Sequence, residues 1–99
     1  GATNVTRRIG PLSDDILADG SGVAAAMCDA GERAVGGGGI LWSGSLADPE
    51  MSESSPRING EAEEIGVPVG WTVRYNNEDS NNDNLGAIAV RAYVVCAAP

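Results

Sequence analysis

Two stretches in the second half of this 99-residue chain carry its strongest period-2 alternation of apolar residues. In "VPVGWTVRY", Val67, Val69, Trp71, Val73 and Tyr75 share one face, with Pro68, Gly70, Thr72 and Arg74 on the other. In "IAVRAYVVC", Ile88, Val90, Ala92, Val94 and Cys96 line one face, opposite Arg91 and Tyr93. Successive side chains of a strand point to opposite sides, so this period marks two half-buried β-strands. No stretch carries a three-turn helical pattern, which leaves an all-β chain.

The polar run "NNEDSNNDNLG" between these strands suits turns, and the two read as a long-looped hairpin. Upstream, "GVAAAMC" alternates Val23, Ala25 and Met27 against Ala24, Ala26 and Cys28, and is too short before Asp29-Ala30-Gly31 for a typical helix. "ERAVGGGGILW" is then expected to return as its hairpin partner. "NVTRRI" is a short candidate strand, and "SDDILADG" is expected to hold one helical turn capped by Ser13. Residues 43–66, rich in Ser, Gly, Pro and Glu, read as a long excursion with one strand near Arg57-Ile58. The expected architecture is a single domain over 1–99, with an N-terminal arm and loop over 1–21 and a small antiparallel β-sandwich over 22–97. Jelly-roll and Ig-like topologies both remain open.

The four glycines Gly36 to Gly39 raise the question of a phosphate loop. A Walker loop needs Lys followed by Ser or Thr and a helix, yet Gly39 leads into Ile40-Leu41-Trp42 and the chain has no Lys. A dinucleotide fingerprint needs an amphipathic helix that is absent from the pattern. Glycines within a strand instead mark bulges or close approach of a bulky neighbour. Trp71 is the expected ring over Gly36 to Gly39.

Charge narrows function further. Six arginines face 14 Asp and Glu, for a formal charge of −8, and there is no His. Nucleic acid and anionic membranes are repelled by such a surface, and the longest apolar stretch is too short to insert in a bilayer. Without His, the usual base of Ser or Cys nucleophiles is missing, as are His-containing zinc sites. No catalytic residue and no cofactor are expected.

Cys28 and Cys96, 68 residues apart, read as a disulfide in a small acidic chain, with two buried free thiols as the alternative. Around them lie Ala30-Gly31, Gly36-Gly37-Gly38, Gly70-Trp71-Thr72-Val73, Asn76 and Ala92-Tyr93-Val94-Val95-Cys96-Ala97. This pattern, over residues 22–97, resembles a small secreted β-domain of actinobacterial exported proteins and of virion proteins of their phages. Asp29 stands where that family usually carries Pro. The resemblance implies a module at the cell or virion exterior with a Cys28–Cys96 bridge, and it carries over no catalytic residue.

Four other groups offer ligand chemistry beside a plainer role. Asn77, Asp79, Asn81 and Asp83 offer oxygens at alternate positions, but Asn82 and Ile88 stand where an EF-hand needs Gly and Glu, and a solvated loop is the simpler reading. Glu50, Glu53, Glu61, Glu63 and Glu64 are a solvated acidic cluster rather than a glycosidase pair, since a small sandwich seldom offers a deep cleft. Asn4-Val5-Thr6 matches a glycosylation sequon that recurs by chance. Trp42, at a strand end, is the aromatic expected to be exposed, where it would suit stacking on a glycan.

Arg7 and Arg8 are the adjacent positive charges, expected to anchor the acidic domain on an acidic partner or else to be solvated in a frayed terminus. The sequence therefore points to a non-catalytic extracellular or virion-surface module (decoration, fibre or appendage domain) that works by contact with neighbouring subunits in a homo-oligomer or larger assembly. A secreted carbohydrate-binding module using Trp42 is the alternative.

Overall fold

A computed structural model describes residues 4–17, 20–43, 49–58, 67–78 and 87–98. Among these there are six strands: β1 Val5–Ile9, β2 Ser21–Met27, β3 Arg33–Ser43, β4 Pro49–Ile58, β5 Pro68–Asn77 and β6 Ile88–Ala97. They form two three-stranded antiparallel sheets, ordered β1-β6-β3 and β2-β5-β4, packed as a sandwich.

The alternation reads the inner faces of β6 and of β5 from Trp71 to Tyr75 correctly, whereas Val67, expected on the same face, precedes β5 and is exposed. From β6, Ile88, Val90, Ala92, Val94 and Cys96 point inward and are buried, and they meet Val73 and Tyr75 of β5 and Ala24 and Ala26 of β2. Much of this core is Ala and Val, small or β-branched side chains that suit a pleated surface and let two sheets approach closely.

The pairing differs from both expected hairpins. β5 and β6 lie in opposite sheets, as do β2 and β3; β2 pairs with β5, and β3 with β6. Alternation specifies which side of a strand is buried but not which strand lies beside it, and a long connection imposes no hairpin register. Only β4 and β5 are neighbours both in sequence and in a sheet.

Two other segments also depart from expectation. Residues 13–17 contain no helical turn; Ser13 N donates to Val90 O at 2.8 Å, and Ile16 and Ile88 exchange backbone bonds. Ser13 Oγ accepts from Val90 N at 2.9 Å, so the hydroxyl caps a strand amide instead of a helix. With Gly10 N donating to Ala92 O, residues 5–16 run antiparallel along β6. The 43–66 excursion contains a full ten-residue strand, β4, more than the single short strand near Arg57-Ile58. Its exposed run of Ser and Glu lacks the alternation that announces a buried face.

The Cys28–Cys96 disulfide is formed, with the Cα atoms 5.7 Å apart. It joins the end of β2 to β6 and so ties one sheet to the other. Closing a 68-residue separation stabilises the fold by about 4 kcal/mol through the lost freedom of the unfolded chain. Such a bridge belongs to an oxidising, extracellular type of environment. Among the described residues no helix is long and apolar enough to cross a membrane.

Candidate functional site

The glycine tract is the floor for three rings. In β3, Gly37 and Gly39 pair with Val94 and Ala92 and face the core, while Gly36 and Gly38 pair with Val95 and Tyr93 and face outward. A Cβ on Gly37 would strike the Trp71 ring and come within 2.7 Å of Tyr93 O. One on Gly38 would lie 2.8 Å from the Tyr93 hydroxyl, and one on Gly39 3.0 Å from that of Tyr75. Trp71 thus lies over Gly37 alone and not over the whole of Gly36 to Gly39 as expected, with its Nε1 donating to Ser54 Oγ at 2.9 Å. Burial raises the pKa of the Tyr75 phenol above its ordinary value. Gly36 differs from its three neighbours, since a Cβ there would meet nothing within 4 Å.

A β-bulge between Ala34 and Gly36 sets this alternation. The extra residue, Val35, is 56% exposed, and the inserted step determines which glycines face Trp71 and which face outward.

The adjacent arginines part company, because consecutive residues of a strand point to opposite sides. Arg8 turns inward and forms a bidentate pair with Glu32: Nε to Oε1 and Nη2 to Oε2, both 2.9 Å. Its Nη2 also lies 2.9 Å from Asp29 Oδ2. Residues 29–32 form a turn in which Glu32 N donates to Asp29 O at 3.1 Å and Gly31 sits at φ 85°, a position that favours glycine. Glu32 accepts in addition from Asp29 N at 2.8 Å. The Arg8 guanidinium, followed by the Asp29 amide, holds the Glu32 carboxyl below its ordinary pKa, and the pairing raises that of Arg8. The Arg8 and Glu32 side chains are 31% and 13% exposed, so this clamp sits at the rim of the fold.

Cys28, Cys96 and Glu32 place their donor atoms within 4.8 Å of one another. The two sulfurs are bonded to each other and are not thiolate ligands, so the cluster is a bridge flanked by an ion pair.

Arg7 turns outward. Its guanidinium lies 5.6 Å from the centroid of the Tyr93 ring, and Arg91 lies 5.7 Å from that of Trp42. These residues share the outer face of β1, β6 and β3 with Arg33, Val5, Ile9 and Ile40. Val5 is 58% exposed and Trp42 50%. Three arginines sit among apolar side chains, and the strands of this face bring no carboxylate to it. Arg91 Nε is buried with no hydrogen-bond partner among the described residues. The outer face of β2, β5 and β4 is different, since Glu50 and Glu53 alternate there with Arg57, Arg74 and Ser55.

Trp42 is exposed as expected, but Arg91 lies over one face of its ring, which reduces the area left for a sugar. Arg7 joins an aromatic platform, whereas Arg8 is occupied within the chain. Sequence reading treated the two as one site; the period of the strand was the signal that separates them. It also set Arg91 and Tyr93 on one face of β6 without joining them to Arg7 and Arg33, because strand pairing and not periodicity brings these residues together. Asn77 is only 1% exposed and donates Nδ2 to Ile16 O, a core role that does not suit a calcium loop. Asp79, Asn81, Asp83, Glu61, Glu63 and Glu64 lie outside the described residues.

No family model matches the chain, and neither the curated proteins nor the solved structures contain a match to it.

Proposed function

We propose that this chain is a non-catalytic module of an exterior structure, a decoration, fibre or appendage domain of a virion or cell, and that it works by docking the outer face of β1, β6 and β3 on a neighbouring subunit. The observation that carries this reading is the segregation of charge: three arginines and no carboxylate among the strand residues of one face, in a chain with a formal charge of −8. Two of these guanidiniums are stacked on aromatic rings, which pre-orients their N–H forks for carboxylates. The surrounding Val5, Ile9, Ile40 and Trp42 suit the apolar centre of a protein interface. Its polar rim would be acidic on the partner's side. The disulfide fits an extracellular setting, and the resemblance of the Cys28 to Cys96 pattern to secreted and virion β-domains points the same way. A glycan platform on Trp42 is disfavoured by the cation that already covers part of the ring.

Charge reversal tests the reading. Arg7→Glu with Arg33→Glu is expected to release the chain from its native assembly, while Arg57→Glu with Arg74→Glu on the opposite face leaves it attached. Both double variants should melt near the parent temperature, because exposed charges contribute little to stability. Retention of the first variant in the assembly contradicts the proposal.

A further inference from the structure

The sandwich has four sheet edges, and three are guarded. β1 is five residues long and carries two arginines. β2 is covered at its middle by Gly10, where an added Cβ would strike Ala25 O, and a covered edge also resists pairing. β4 holds Pro49 and Pro56, Glu50 and Glu53, and two register shifts. Short length, proline, charge and bulges are the means by which natural edges resist pairing. β3 has none of them past its bulge: it runs for eleven residues, lacks proline, and has no charge from Ala34 to Ser43. Among the described residues it pairs only with β6, and no strand is hydrogen-bonded to its other edge.

The order of residues along this edge is self-complementary. Gly36 to Gly39 is followed at once by Ile40, Leu41 and Trp42, an empty half and a bulky half. When two copies run antiparallel about Gly39, Trp42 lies across from Gly36, Leu41 from Gly37 and Ile40 from Gly38. Each pair falls on one side of the sheet, since Gly36, Gly38, Ile40 and Trp42 all face outward while Gly37 and Leu41 face the core. The register is selected by the one glycine whose space is unused. Tyr93 fills the space over Gly38 and Trp71 that over Gly37, but nothing lies within 4 Å of a Cβ on Gly36. A cross-strand aromatic covering a glycine is a known means of stabilising strand pairs.

We infer that β3 is the interface of a two-fold dimer in which the β1-β6-β3 sheets of two copies join edge to edge, each Trp42 covering the other's Gly36. The pairing meets at an uncharged stretch of a strongly acidic chain, where repulsion between copies is least. It sets the two Arg33 side chains at opposite ends of the paired strands. The dimer extends the reading as a contact module but does not depend on the outer-face partner, which docks on side chains and not on the strand edge.

Sedimentation velocity of the oxidised protein, from about 10 µM to about 1 mM, tests this. A concentration-dependent dimer is expected. Gly36→Trp fills the space that the partner's Trp42 requires and is expected to weaken the dimer roughly tenfold or more, and Trp42→Gly also weakens it. The double variant exchanges the two members of the pair and should restore association. Near-UV circular dichroism confirms that each variant is folded, and amide exchange of residues 36–42 in the parent should slow as concentration rises. Arg7→Glu should leave the dimer intact while abolishing attachment to the assembly, which separates failure of this inference from failure of the outer-face reading. A parent that stays monomeric across the range overturns the dimer, as does unchanged association of folded Gly36→Trp.

Discussion

The two outer faces of this sandwich are built from strands of similar length yet treat charge in opposite ways. On β2-β5-β4, Glu53 lies across from Arg74 and Glu50 and Arg57 stand nearby, so positive and negative groups neutralise one another locally. On β1-β6-β3, the strands that carry Arg7, Arg33 and Arg91 contain no carboxylate, and Arg7 and Arg91 are laid on aromatic rings. A face that only meets water gains from mixing signs, because like charges repel. Concentrating cations on one side of an acidic domain is what a docking surface needs, since complementary fields guide encounter and suppress wrong partners.

The comparison holds only while the two sheets stay joined. The largest expected effect therefore comes from Cys28→Ser with Cys96→Ser, which removes the covalent tie between them. Denaturant titration should show a loss of about 4 kcal/mol. Next in size is Gly37→Ala, whose Cβ cannot share space with the Trp71 ring. Displacing a packed ring costs about 1–3 kcal/mol, read from the same titration. Gly36→Ala, one residue away, meets nothing and should change the monomer's stability by less than about 0.5 kcal/mol. Equal losses at the two positions would mean that the tract serves something other than the rings.

A smaller effect is expected from pH. Glu32 titrates below its ordinary value in the fold because Arg8 and the Asp29 amide favour its charged form. The folded protein thus binds this proton less readily than the unfolded chain does. The resulting stabilisation is complete above the unfolded carboxyl's pKa, about 4.3, and is lost as pH falls through the depressed folded value. Melting of the parent and of Glu32→Gln should therefore converge as the pH is lowered into that window, and a constant gap would contradict the ion pair.

Much of this architecture is legible in the sequence. Alternation in β5 and β6 identified the buried positions, from Val73 and Tyr75 to Val90 and Cys96, because burial on one face imposes a period of two. The absence of Lys and helix removed the phosphate reading of Gly36 to Gly39, and a large ring needed a neighbour without a Cβ. Strand partners were not legible, since the faces of β5 and β6 look alike whether they lie side by side or across the core. β4 escaped notice because its Ser and Glu residues are mostly exposed on both sides. The candidate site was only half read. Arg7 and Arg8 stood out as a pair, but the pleat sends one to Tyr93 and the other to Glu32. The remaining members, Arg33 and Arg91, are distant in sequence and meet only through the register of β6 with its two neighbours.

Arginine-directed footprinting with phenylglyoxal measures the contrast between the faces directly, comparing the isolated chain with the chain in its native assembly. If the outer face of β1-β6-β3 is the docking surface, Arg7, Arg33 and Arg91 become protected on assembly, while Arg57 and Arg74 react as before. Equal reactivity of all five in both states, or protection confined to Arg57 and Arg74, would contradict the account.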